Sequence, residues 1–135
     1  MTSKKIDKKK CRELIRAGVR GLKYCGFDIV TGRVALWKFE DALKYDPENQ
    51  EALWWTGFLS LVFYDNKPPH KNLKALKYFK QILELPNNPD KGLWKKLSLI
   101  ILDMIKRRKY GDFVDHIDPK CAKLLLAKYK FNVKI

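Results

Sequence analysis

The chain has 135 residues, 46% of them apolar, and carries a net charge of +14 with a pI near 9.7. That length holds one domain with a modest core and excludes two, so 4–135 is expected to be a single domain behind a frayed 1–3. The charge excess favours a polyanionic partner such as RNA, DNA, an anionic membrane or an acidic protein tail, although charge alone also serves solubility.

In chain order, the first helix is expected from Lys4 to about Tyr24. At 100° per residue, Lys5, Lys9, Arg12, Arg16, Arg20 and Lys23 fall within an arc of about 80°, with Cys11, Leu14, Ile15, Gly18 and Leu22 opposite. Gly26 is expected to end this helix and Asp28 to cap the next, about Ile29 to Tyr45. There Glu40 and Lys44 are spaced as an i, i+4 ion pair. Asp46-Pro47 then reads as N-cap and first helical residue of a third helix, and Asn88-Pro89 and Asp118-Pro119 repeat the device.

The third helix, Glu48 to about Tyr64, is apolar nearly all round, as a helix covered on two sides would be. After a proline-stiffened loop containing His70, a fourth helix spans Asn72 to Leu85 and a fifth Pro89 to about Lys109. A short helix, Tyr110 to Ile117, and a terminal capping helix from Asp118 complete the chain.

The second and fourth helices carry one motif written twice. Ala35, Phe39, Ala42 and Leu43 map onto Ala75, Phe79, Ile82 and Leu83 by adding 40. Leu53-Trp54 likewise recurs as Leu93-Trp94, and Gly18 precedes Gly57 by 39. A helix pair that cannot bury its apolar stripe alone is expected to stack on its neighbour.

These residues resemble the tetratricopeptide (TPR) repeat family. Its second-helix pattern of Ala, aromatic, Ala-Leu and Pro is matched by Ala35, Phe39, Ala42, Leu43 and Pro47, and less closely by Ala75, Phe79, Ile82, Leu83 and Pro86. Its first-helix pattern is matched by Trp94, Leu97 and Ser98, and more poorly by Leu53, Thr56 and Gly57. The period here is about 40 against the family's 34, and the third unit lacks the second-helix pattern. The resemblance implies an all-α fold, a short right-handed α-solenoid of about two and a half TPR-like hairpins with a C-terminal cap. It also implies a concave groove lined by the first helix of each pair, which would place Arg20, Tyr24, Trp54, Phe58, Leu61, Lys95 and Leu99 against a partner's peptide or helix. Trp55 and Lys96 stand where the family's carboxylate clamp wants other residues, so that function is not expected.

No constellation for catalysis is legible: His70 and His116 lack a nucleophile and orienter at motif spacing. Asp112, Asp115, His116 and Asp118 read as turn and cap chemistry rather than a metal site. Neither cofactor nor metal is expected, and the chain is expected not to be an enzyme. Cys11, Cys25 and Cys121 lie far apart, without C-x-x-C, as in a reducing compartment. With no signal-peptide pattern and no apolar run long enough to span a bilayer, a soluble cytoplasmic protein is expected.

Charge is concentrated in two blocks. Residues 1–20 hold eight Lys/Arg against Asp7 and Glu13, and residues 86–110 hold seven against Asp90 and Asp103. Cations at a helix C-terminus account for Lys106 to Lys109 of the second block without a ligand. The first has the form either of a phosphate-binding helix or of a solvated helix face. Two functions follow as expectations: an adaptor holding a protein partner in its groove, or an RNA- or ribosome-associated protein using the stripe at Lys5, Lys9, Arg12, Arg16, Arg20 and Lys23. A homo-oligomer is also compatible with the pattern.

Overall fold

A computed structural model describes residues 6–25, 29–63, 74–106, 123–125 and 128. Among them all regular structure is helical: α1 (Lys8–Cys25), α2 (Ile29–Tyr45), α3 (Gln50–Phe63), α4 (Lys74–Glu84) and α5 (Leu93–Lys106), with a 3-10 turn at Pro89–Gly92. Each helix packs on the next in sequence, and α3 also touches α5. The expected short helix at 110–117, His70, and the Asp112, Asp115, His116 and Asp118 cluster lie outside the described residues.

The written repeat becomes a repeated contact. Gly18 of α1 lies under the ring of Phe39 of α2, so close that a Cβ there would stand 2.7 Å from Phe39 Cζ. Gly57 of α3 lies under Phe79 of α4 in the same way, with 3.0 Å from a Cβ to Phe79 Cζ. Only a residue without a side chain lets each helix pair approach this closely. Ala35 and Ala75, Phe39 and Phe79, and Ala42 and Ile82 are all buried, and Leu43 and Leu83 are half-buried in both copies.

α3 is the centre of the core. Every residue from Ala52 to Leu61 is buried, because α2, α4 and α5 all pack on this helix. Its aromatics form a continuous cluster. Trp54 stacks on Phe58 (centroids 5.0 Å apart, 7° between planes), meets Trp55 edge-on at 5.0 Å, and lies 6.0 Å from Trp94 of α5. Phe39 stacks on Trp55 at 5.6 Å, tying the first hairpin to this cluster. Such pairs add about 0.5–1.5 kcal/mol each beyond burial. Of the expected C-terminal cap, Leu125 is fully buried in the same core while Lys123 is exposed.

The helix starts differ from expectation. α1 begins after Asp7, whose Oδ1 accepts from Lys10 N at 3.0 Å. Asp46-Pro47 does not open α3. It forms a turn closed by Asn49 N donating to Asp46 O at 3.1 Å, a place that suits proline because φ is preset there. The cap is Asn49, whose Oδ1 accepts from Ala52 N at 3.0 Å. Asn88 makes no side-chain capping bond, and Pro89 leads into a turn where Asp90, Lys91 and Gly92 all have positive φ (54°, 58° and 78°). That reversal of hand breaks the path from Pro89 into α5, which therefore starts only at Leu93. On α2, Lys44 pairs with Asp41 at 3.1 Å rather than with Glu40; both partners are more than half exposed, so the pair adds little.

Candidate functional site

The expected groove and the expected basic stripe meet opposite fates. Trp54, Phe58 and Leu61 are 0%, 1% and 0% exposed, so they belong to the interior and present nothing to a partner. This corrects their assignment to a groove floor. The periodicity that marks a groove face in an open solenoid marks the core here, because α2, α4 and α5 all pack on α3. Of the remaining groove residues, Leu99 is 56% exposed and Arg20 is exposed. Lys95 is half-buried, with its Nζ donating to Leu85 O at 2.6 Å at the C-terminal end of α4, where a cation is favoured. Tyr24 and Lys23 lie on α1 with side chains outside the described residues, and Lys5 is also outside them.

The stripe is open to solvent. Lys9, Arg12, Arg16 and Arg20 are all exposed along α1, on the side away from the Gly18–Phe39 contact. No ion pair engages them among the described residues. Four residues of helix rise about 6 Å, so the three guanidinium stems stand in a row about 12 Å long. The exposed neighbours on α1 are Lys8, Lys10 and Glu13; among the described residues of α1 no large apolar side chain is exposed.

A second feature was not read from sequence. A cleft of about 500 Å³ opens where the start of α1, the 46–49 turn and the 86–90 turn converge. It is held by Gln50, 2% exposed, whose Nε2 donates to Asn87 O at 2.8 Å and to Asn87 Oδ1 at 3.1 Å. Asp46, Glu48, Glu51 and Asp90 line it against Lys8 and Arg12, so the local balance is acidic in a basic chain. The effect is felt at Cys11. Burial first, then the charges of Asp46 and Glu51, push its thiol up to about 11, with Arg12 opposing. The acidic residues stand in or beside the two proline turns, a signal spent in sequence on helix capping.

Asp90 anchors the other wall. Burial acts to raise its pKa. The hydrogen bonds from Lys128 Nζ (2.9 Å) and Trp94 Nε1 (2.7 Å), with the Lys128 charge, outweigh this and hold the carboxyl below its usual range. A carboxylate held ionised by two donors is a structural clamp, joining the C-terminal segment to the start of α5, and is poorly placed to act as a general base. No group of three or more His, Cys, Asp or Glu side chains suited to a metal occurs among the described residues. No helix among them is long and apolar enough to cross a membrane.

Compared with family models, curated proteins and solved structures, the chain matches none.

Proposed function

We propose that this chain is a non-catalytic binding scaffold, a short right-handed α-solenoid of TPR-like hairpins, whose working surface is the basic outer face of α1. Support for the scaffold comes from the paired clasps Gly18–Phe39 and Gly57–Phe79, which build two hairpins to one plan. Support for the surface rests on one observation: Arg12, Arg16 and Arg20 stand exposed in a row with no ion pair engaging them among the described residues, although Arg12 also borders the carboxylates of the cleft. Such a row raises the local concentration of polyanions and lowers its own repulsion when one binds. The partner is therefore acidic or phosphate-bearing.

Inorganic polyphosphate tests the charge reading without presupposing a partner. Saturable binding at moderate salt is expected, and the combined change Arg12→Glu, Arg16→Glu and Arg20→Glu should abolish it while leaving the helical circular dichroism unchanged. Equal binding by that variant would remove α1 from the site.

A second reading is favoured by α2, where Val34 and Trp37 are 41% and 60% exposed at i, i+3 spacing. Tryptophan is enriched at protein interfaces, so an adaptor role would place the protein partner on this ridge rather than in the closed interior around Trp54. Trp37→Glu should then abolish capture of a purified protein partner without changing stability, whereas unchanged capture would dismiss the ridge.

A further inference from the structure

We infer that the occupant of the α1 face is the phosphate backbone of a single-stranded nucleic acid, bound without regard to base sequence. The inference rests on the polyanion reading of that face and narrows it.

Two observations separate a phosphate chain from an acidic protein. Protein interfaces have an apolar, largely uncharged centre ringed by polar groups. The exposed face of α1 has no such centre: Lys9, Arg16 and Arg20 are exposed with Glu13 beside them, Lys8 and Arg12 are exposed at the edge of the acidic cleft, and among the described residues of α1 no large apolar side chain is exposed, Ile6 lying just before the helix. A surface of this kind can be recognised by charge alone, which a phosphodiester backbone presents at every unit. The spacing also fits. Arg12, Arg16 and Arg20 follow one another at about 6 Å along the helix, within side-chain reach of successive phosphates on an extended strand. Each guanidinium can offer two parallel N–H donors to one phosphate.

The same face accounts for the lack of base readout. Sequence-tolerant single-strand sites add aromatic platforms for stacking, but the large exposed ring among the described residues, Trp37, lies on α2. On a helical wheel both Trp37 and the arginines point away from the α1–α2 contact, so the ring and the row sit on opposite sides of the hairpin. Among the described residues α1 carries one row of cations with no parallel second row, which contacts one strand rather than the two of a duplex.

The test is fluorescence anisotropy of a labelled oligouridylate with the full chain, between 50 and 200 mM salt. Single-strand contacts give a slope of log affinity against log salt of about −0.7 per phosphate. The three arginines alone therefore contribute a slope of about −2, a loss of about 20-fold over that range. Arg12→Gln, Arg16→Gln and Arg20→Gln should each reduce the slope by about 0.7, while Lys77→Gln and Lys80→Gln on exposed positions of α4 should not. An oligoadenylate of equal length should bind within a few-fold.

Equal slope changes from the α4 controls would overturn the site. Competition by a polyglutamate peptide at the same charge concentration as oligouridylate would overturn the nucleic-acid assignment and leave the polyanion reading standing. Binding of neither probe nor polyphosphate would overturn both.

Discussion

Replacing Gly18 by alanine tests whether the repeat is the structural device it resembles. The new Cβ would stand 2.7 Å from Phe39 Cζ and 2.9 Å from Cε1, against an ordinary carbon contact of about 3.5–4.0 Å. The ring would have to retreat by about 1 Å. Phe39 is fully buried and backed by Trp55 at 5.6 Å, so retreat compresses a stacked pair. Overpacking of this kind costs about 1–3 kcal/mol. Removing glycine from a helix interior returns about 1 kcal/mol, leaving a net loss of up to about 2 kcal/mol. Gly21, one turn on, is the internal control. A Cβ there would meet Thr31 Cγ2 at 3.8 Å, an ordinary contact, so Gly21→Ala should stabilise by about 0.4–1 kcal/mol. Urea unfolding followed by circular dichroism reads both. The cycle with Phe39→Leu should show that this truncation costs less in the Gly18→Ala background, since a smaller side chain relieves the clash. If Gly18→Ala is as stable as Gly21→Ala, the close clasp is not what joins α1 to α2.

Three further outcomes follow from local geometry. Asn49→Ala should cost about 1 kcal/mol as a lost N-cap, whereas Asp46→Ala should cost less because its carboxylate does not cap α3; equal losses in urea unfolding would refute that distinction. Lys91→Gly should stabilise by up to about 1 kcal/mol, since Lys91 is exposed and holds φ at 58° where glycine has no Cβ penalty; a lowered melting temperature would count against the left-handed turn. Cys11 should resist a disulfide reagent at pH 8 until the chain unfolds, being fully buried with its thiol pushed up to about 11. The unfolded thiol ionises from about pH 8.5 while the folded one does not. Stability should therefore fall from that pH up to about 11, more steeply than in Cys11→Ala; identical pH profiles would refute it.

The all-helical class, the approximate span of each described helix and the pairing of equivalent positions were legible in the sequence. Those properties are set by nearest-neighbour periodicity and by a repeat spacing that the chain prints on itself. Gly18 with Phe39 and Gly57 with Phe79 could be matched by counting, because each contact joins consecutive helices. The exposure of Arg12, Arg16 and Arg20 was legible too, since a row of guanidinium groups cannot enter a core without partners.

Tertiary structure decided the rest. Whether Trp54, Phe58 and Leu61 face a groove or an interior depends on what covers the second side of α3. Periodicity reports only that a face is apolar. The packing of α2, α4 and α5 around α3 settled it towards the core. The turns were also out of reach. Asp46 and Asn49 are both good caps in isolation, and the choice fell to Asn49 because the chain first turns at Pro47. The acidic cleft needed three segments distant in sequence, the start of α1 and the turns at 46–49 and 86–90, to be brought together. Its charge is set by that convergence, so a chain with a net charge of +14 still carries a cleft in which four carboxylates face two cations.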